Sequence, residues 1–246
     1  MLDVSKNTAL GTLFCYENQL SSLNVSGCKA LEFLSCHSNQ LTSLDVSENA
    51  ALITLYCYNN RLTSLNVTGC TALNFLSCFG NRLTSLDMSD CTALEELYCY
   101  RNQLTTLDVS KNTALTNLEC FSNYLTSLDL SKNSALTSLY CYDNKLTSLN
   151  VSGCTALSKI SCYLNQINGR TMDALIESLP TASSSVIFVI YNEGEGNVMT
   201  TTQVEAATAK GWTPAFTPDG SKWYKYAGSE PDALRGDVNG DGKVDM

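Results

Sequence analysis

The chain has 246 residues, 44% of them hydrophobic and only 16% charged, so it can bury a core but carries fewer charges than an ordinary soluble domain. Its net charge of −9 argues against a nucleic-acid or anionic-membrane surface, and no apolar run approaches the roughly 18 residues of a membrane span. Because His37 is the single histidine, Ser–His and Cys–His catalytic pairs and histidine metal sites are nearly excluded, and we expect no enzymatic activity.

Residues 1–167 repeat with a period of 21. We call each set of equivalent residues a column and number it by its member in the first complete copy. Four columns, which begin at Leu10, Leu13, Cys15 and Asn18, hold over eight copies without an insertion, and Ile160 is their single departure. Self-similarity at a fixed period indicates a solenoid in which each copy adds one coil.

The unit reads L-x-x-L-x-C-x-x-N-x-L-T-S-L-D/N-V-S-x-N/C-x-A, and its first half is the leucine-rich-repeat consensus with cysteine where leucine is usual. Alternation predicts a short strand with Leu13 and Cys15 inward and residues 12, 14 and 16 outward. A buried Asn18 amide can pair with backbone groups of the following turn. The second half is too short and too rich in β-branched residues for a helix and predicts an extended or 3-10 return segment. We expect its Thr, Ser and Asp side chains to satisfy turn backbone groups.

These elements predict a β-rich, right-handed solenoid of the α/β class, with a parallel sheet on its concave face. The repeat L-x-x-L-x-C-x-x-N-x-L-T-x-L-D-V-S-x-N resembles the 21-residue, cysteine-containing leucine-rich repeats of internalin-like bacterial surface proteins, over about residues 2–167. The resemblance implies an extracellular or cell-surface binding or adhesion module rather than an enzyme. It does not name the ligand, because such proteins share the scaffold and differ in the exposed residues.

Residues 168–226 predict a C-terminal α/β cap, because Arg170 interrupts the Leu23 column. We expect a helix over Met172–Leu179 that ends at Pro180, followed by a strand over Val186–Tyr191. A second helix should run from a capping box at Thr202–Glu205 to Lys210-Gly211. After it we expect a strand over Trp212–Phe216 and a turn at Asp219-Gly220 that leads into Lys222–Tyr226. Two such helix–strand units would extend the sheet and cover its apolar end. The chain starts inside a repeat, without a signal peptide or polar cap, which predicts that it was cut from a longer protein.

The twelve cysteines follow the repeat. Eight form the Cys15 column, and Cys28, Cys70, Cys91 and Cys154 alternate with asparagine in a second column. Equivalent residues of neighbouring coils lie about 4.8 Å apart with parallel side chains, whereas a disulfide needs Cβ atoms about 3.8 Å apart. We therefore expect buried free thiols. A bridge between the neighbours Cys70 and Cys91 remains the alternative.

The C-terminal residues 237–246 follow a linker at 227–236 and match the start of an EF-hand-type calcium loop. The predicted Ca²⁺ ligands are Asp237, Asn239, Asp241, the carbonyl of Lys243, and Asp245. The segment resembles the first loop of a dockerin domain, which implies that the complete domain binds a cohesin. Because the chain ends two residues before loop position 12, we expect weak calcium binding, and a solvated acidic tail is the alternative. The solenoid itself calls for no cofactor.

The outward columns 12, 14 and 16 carry eight of the 12 tyrosines and five of the seven phenylalanines. The predicted ligand-binding residues of this concave face are Tyr56, Tyr58, Phe79, Tyr98, Tyr100, Phe121, Tyr140, Tyr142 and Tyr163. Exposed aromatics are typical of binding surfaces, although they can also stack on one another and only stabilise the sheet. Because Glu96, Arg101, Glu119 and Asp143 add mixed charges, a protein ligand, host or bacterial, is favoured. The alternative is a glycan-binding or scaffolding module of a dockerin-bearing, carbohydrate-active assembly.

Overall fold

The computed structural model describes residues 1–191, 195–218 and 221–229. Each of the eight coils contributes one strand to a large parallel sheet. In the order of the chain these strands are β2 (Thr12–Phe14), β4 (Phe33–Ser35), β6 (Thr54–Tyr56), β8 (Phe75–Ser77), β9 (Glu96–Tyr98), β10 (Asn117–Glu119), β12 (Ser138–Tyr140) and β14 (Lys159–Ser161). Short strands of the return segments lie on the opposite, convex side: β1 (Leu2–Asp3), β3 (Leu23–Asn24), β5 (Ser43–Asp45), β7 (Ser64–Asn66), β11 (Ser127–Asp129) and β13 (Ser148–Asn150).

Neighbouring strands of the large sheet pair in a register of 21 residues, so each column becomes a straight row across the coils. Leu34, Leu55 and the corresponding residues up to Ile160 are fully buried, as are the cysteines from Cys36 to Cys162 in the Cys15 column. Burying a leucine side chain stabilises a fold by about 1.5–3 kcal/mol, and every coil repeats that contribution. The predicted inward columns are thus confirmed.

The Asn18 column bonds neighbouring coils through side-chain amides. In Asn102, Nδ2 donates to the carbonyls of Cys78 and Cys99, both at 3.1 Å, and Oδ1 accepts from the N–H of Leu83 at 3.0 Å. The same bonds recur from Asn39 to Asn165. One asparagine per coil therefore satisfies turn groups of two coils, which confirms the predicted role of the column.

All twelve cysteines are buried, and all twelve are free thiols, including Cys70 and Cys91. In the second column, thiol and amide replace each other as donors to equivalent carbonyls. Cys70 Sγ donates to the carbonyl of Val46 at 3.3 Å, and Asn112 Nδ2 donates to that of Met88 at 3.0 Å. Either residue can thus cap the turn from the inside, which explains why both asparagine and cysteine occur in this column.

The return segments are extended, and none of the residues that the structure describes forms a 3-10 helix. They form three two-stranded parallel sheets, β1–β3, β5–β7 and β11–β13. As predicted, polar side chains close the turns here, since the carboxylate of Asp45 accepts from the N–H of Ser47 at 2.9 Å. In all three sheets an aspartate faces an asparagine of the next coil, and Asn150 Nδ2 donates to Asp129 Oδ1 at 3.0 Å.

The coils of Asp87 and Asp108 break this pattern, because each aspartate is followed one coil later by another aspartate and residues 85–87 and 106–108 form no strand. We expect Asp108→Asn to supply an amide donor for Asp87, remove a like-charge contact, and raise the melting temperature by about 1–2 °C at low ionic strength. Differential scanning calorimetry measures the shift. The matched variant Asp45→Asn loses the same charge, but Asp45 lies between Asn24 and Asn66 in the column and has no aspartate beside it. An equal gain in that variant would contradict the charge explanation.

The cap extends the sheet as predicted. It consists of α1 (Gly169–Ser178), β15 (Ser185–Ile190), α2 (Thr201–Ala209), β16 (Trp212–Phe216) and β17 (Tyr224–Lys225). Strand β15 pairs parallel with β14, β16 parallel with β15, and β17 antiparallel with β16, which completes an eleven-stranded sheet. The apolar side of α1 packs against the last coil and covers its core.

Two helix starts differ from the prediction. Helix α1 begins at Gly169, three residues before Met172. The capping box of α2 is formed by Thr200 and Gln203 rather than Thr202 and Glu205. Thr200 N–H donates to Gln203 Oε1 at 2.8 Å, and Gln203 N–H donates to Thr200 Oγ1 at 3.3 Å. This start places Val204 and Ala207 in the core.

Candidate functional site

The candidate site is the concave face, which we define as the outward side chains of columns 12, 14 and 16 and their continuation in the cap. All nine predicted ligand-binding residues lie on it, and each is half-buried: Tyr56, Tyr58, Phe79, Tyr98, Tyr100, Phe121, Tyr140, Tyr142 and Tyr163. Phe14 and Tyr16 of the first coil are more exposed, at 62% and 42%. The sheet therefore gathers these side chains on one continuous surface.

Column 16 forms a stack of rings, which we call the aromatic ladder. It comprises Tyr16, His37, Tyr58, Phe79, Tyr100, Phe121, Tyr142 and Tyr163. Successive ring centroids lie 4.2–4.6 Å apart, and the ring planes are within 7–11° of parallel. This spacing follows from the strand spacing of the sheet. Ring faces therefore cover one another, and the ladder turns ring edges and tyrosine hydroxyls toward solvent.

His37 occupies one position of this stack, with neighbours at 4.6 Å and 4.2 Å. Its burial lowers the pKa of the imidazole below the usual value, which favours the neutral ring. Its Nδ1 lies 3.2 Å from the hydroxyl of Ser38. These contacts show that His37 serves as one ring of the aromatic ladder.

Columns 12 and 14 form a second aromatic row, Phe14–Phe33–Tyr56–Phe75–Tyr98. Its neighbouring centroids are 4.9–5.7 Å apart and its rings are tilted by 39–47°. These rings cover the small residues between them, so that Ser35 and Ser77 are only 4% and 3% exposed. The sequence predicts both serines to be on the outward face, and they do point outward but beneath neighbouring rings.

The second aromatic row gives way to polar side chains at β9 and β10. Glu96 Oε2 accepts from the hydroxyl of Tyr98 at 2.5 Å, and Asn117 Nδ2 donates to the same hydroxyl at 3.0 Å. Burial, together with the bond to Glu96, raises the pKa of Tyr98 to about 12. Burial also raises the pKa of the Glu119 carboxyl. The centre of the concave face is therefore polar and acidic between aromatic regions.

Arg101 and Asp143, predicted with the charges of this face, lie in the column that follows the ladder, and both are exposed. This column adopts left-handed backbone in every coil, with φ of 51–54° at its seven non-glycine members and 64° at Gly80. The left-handed turn places these side chains at the rim of the concave face. Sequence reasoning missed this row, although Gly80 and Asn59 are residue types that favour the conformation.

The cap adds aromatic residues that the sequence did not reveal as part of the site. Tyr191 stacks on Tyr163 at 5.5 Å, and Trp223 contacts both Tyr163 at 5.2 Å and Phe188 at 4.7 Å. Phe188 pairs with Ser161 and so continues column 14. Tyr191 and Trp223 together cover Tyr163, the last ring of the ladder, at the C-terminal end of the concave face.

Glu195 holds this end together. Its Oε2 accepts from the N–H groups of Tyr191 at 2.5 Å and Leu164 at 3.1 Å. Because the carboxyl group is largely buried, its pKa is raised to about 7. It joins the cap to the last coil through these two hydrogen bonds.

Within residues 1–191, 195–218 and 221–229, no group of three or more His, Cys, Asp or Glu side chains could hold a metal ion. The predicted calcium ligands Asp237, Asn239, Asp241, Lys243 and Asp245 lie outside the described residues, as does most of the predicted linker. No helix among the described residues is long and apolar enough to cross a membrane.

Comparison with known proteins agrees with this architecture. The family described as Leucine Rich repeats (2 copies) matches residues 71–112. The functional domain of InlJ from Listeria monocytogenes, which includes a cysteine ladder, is 30% identical with a TM-score of 0.62, over 82% of this chain and 49% of that one. A leucine-rich-repeat protein of Leptospira interrogans is 24% identical with a TM-score of 0.64, over 72% and 48%. Internalin C2 of L. monocytogenes is 20% identical with a TM-score of 0.56, over 74% and 81%.

No curated protein matches the sequence. The chain spans about half the length of the first two solved structures above. Its repeats, its parallel sheet and these neighbours show a leucine-rich-repeat solenoid with internalin-like structural neighbours. Such solenoids generally serve as protein-binding scaffolds rather than enzymes.

Proposed function

We propose that the chain is a non-enzymatic, extracellular adhesion or binding module that recognises a host or bacterial protein through its concave face. The observation that carries the proposal is the continuous aromatic surface from Tyr16 to Trp223. Aromatic side chains are enriched at protein interfaces because they bury much area with little loss of conformational entropy. An apolar surface of this length rarely stays uncovered on a soluble protein. The internalin-like neighbours support the extracellular setting.

The geometry of the ladder favours a protein over a glycan. Sugars bind aromatic side chains by lying on the ring face, but ladder rings 4.2–4.6 Å apart already occupy one another's faces. What remains available is a row of ring edges with hydroxyls at Tyr16, Tyr58, Tyr100, Tyr142 and Tyr163. Such edges suit the mixed apolar and hydrogen-bonding surface of a polypeptide.

The test is the double variant Tyr100→Ser/Tyr142→Ser. Peptides selected from a phage-displayed random library against the wild-type chain serve as probes, and biolayer interferometry measures their affinity. We expect affinity to fall at least about 30-fold, since interface tyrosines are frequent hot spots of about 2 kcal/mol or more. Tyr124→Ser is the matched control, because Tyr124 is 48% exposed and outside columns 12, 14 and 16.

Circular dichroism melts of the same variants separate binding from folding. The inward Leu, Cys and Asn columns are untouched, so the melt should stay cooperative. If the double variant unfolds, the ladder is structural and the proposal is wrong. A glycan array run in parallel addresses the alternative, and sugar binding that depends on Tyr100 and Tyr142 would favour a glycan ligand instead.

A further inference from the structure

We propose that the concave face seats a basic side chain of its protein ligand, an arginine in the first place, between Glu96 and Glu119 at the centre of the sheet. This inference rests on the proposed function and adds the chemistry of the partner. Glu96 lies on β9 and Glu119 on the adjacent β10, where Glu96 pairs with Asn117 and Tyr98 with Glu119. The two glutamates are thus diagonal neighbours about 7–8 Å apart on one face.

Tyr98 and Asn117 hold the two carboxylates in place. Tyr98 donates its hydroxyl proton to Glu96 at 2.5 Å, and Asn117 Nδ2 donates to the hydroxyl oxygen at 3.0 Å. Asn117 also lowers the pKa of the Glu119 carboxyl, which opposes the effect of burial. All four side chains are half-buried, so this polar cluster is desolvated more than ordinary surface residues are.

The cluster is rich in acceptors, and no cation among the described residues forms a salt bridge with it. Among the described residues the one salt bridge is Lys29–Glu48, far along the chain from this cluster. Lys159 lowers the pKa of Glu119 through its charge but makes no salt bridge with it, and its ammonium lies over the Tyr140 ring at 4.8 Å and the Phe188 ring at 5.7 Å. The two carboxylates therefore keep acceptor capacity for a donor from outside the chain.

A guanidinium group fits these features. It presents five N–H donors in a plane and accepts nothing, which matches two carboxylates. An aromatic pair flanks the cluster on one side, because the ring of Phe75 lies 5.3 Å from that of Tyr98. Guanidinium groups stack on such rings, whereas an ammonium is more strongly hydrated. The expected partner therefore presents an arginine within an apolar segment.

The experiment uses the same phage-displayed peptides and the variant Glu96→Gln/Glu119→Gln. Peptides selected by the wild-type chain should be enriched in Arg and Lys over the input library. A selected peptide should bind the double variant at least about tenfold more weakly, and replacing its arginine by citrulline should cause a similar loss. When the citrulline peptide is tested on Glu96→Gln/Glu119→Gln, the affinity should fall little further than with either change alone. Such non-additivity would show that the arginine interacts with the glutamates.

Two further variants serve as controls. Glu95→Gln/Glu205→Gln removes the same charge from exposed positions outside the site and should leave affinity unchanged. Glu96→Lys/Glu119→Lys should instead select acidic peptides. If selected peptides lose affinity in Tyr100→Ser/Tyr142→Ser but not in Glu96→Gln/Glu119→Gln, the basic-residue inference is wrong while the proposed function stands. If neither variant affects binding, the basic-residue inference and the proposed function are both wrong.

Discussion

Replacing Asn102 by leucine is expected to lower the free energy of unfolding by about 2–4 kcal/mol, although leucine is similar in size and more apolar. The carbonyls of Cys78 and Cys99 keep a second donor, since Asn81 and Asn123 also reach them at 3.0 Å and 3.1 Å. The N–H of Leu83 has no such reserve, because Asn102 Oδ1 is its acceptor. The variant buries this donor unpaired between two coils.

Urea unfolding followed by circular dichroism measures the change. The matched control is Asn18→Leu, the same substitution in the first coil. Asn18 is exposed, and its amide donates to the carbonyls of Cys15 and Tyr16 in its own coil. We expect a loss below about 1 kcal/mol there. Equal losses at both positions would show that the column acts through local turn geometry rather than through bonds between coils.

The contrast between these two asparagines shows why so much of the solenoid could be predicted from the sequence. Eight copies share one period without an insertion, so a single assignment of inward and outward positions holds in all of them. An error of one residue would expose every Leu13 equivalent at once. The strands, the buried cysteines and the amide column followed from that constraint.

Features that depend on contacts between the 21-residue repeats and the cap, or between side chains of neighbouring coils, could not be predicted from the sequence. Tyr191 and Trp223 join the concave face because β15 pairs with β14, and no 21-residue count reaches them. The sequence predicts the capping box of α2 two residues late, because Thr200 with Gln203 and Thr202 with Glu205 offer equivalent caps. Only the packing of α2 selects the first of them. The burial of Ser77 likewise depends on rings from neighbouring coils.

The cysteines are expected to be almost inert in the folded chain. Burial raises the pKa of Cys78 and of Cys120 to about 12, and that of Cys99 well above its usual value. Since the thiolate is the reacting species, alkylation by iodoacetamide at pH 8 should be at least about a thousandfold slower than in the denatured chain. Exclusion of the reagent from the core slows it further.

The order in which the individual cysteines are alkylated is a sharper test. Cys15, at 8% exposure and a pKa raised to about 11, belongs to the first coil, which has no neighbour on one side among the described residues. Mass spectrometry of partly alkylated protein should therefore find Cys15 and then Cys28 modified first, and Cys99 among the last. In guanidinium without a reducing agent all twelve cysteines should react. Fewer than twelve reacting cysteines would reveal disulfides, and Cys70 and Cys91 would be the first pair to examine. Rapid modification of Cys99 in the native state would mean that the column of buried thiols is not closed to the reagent.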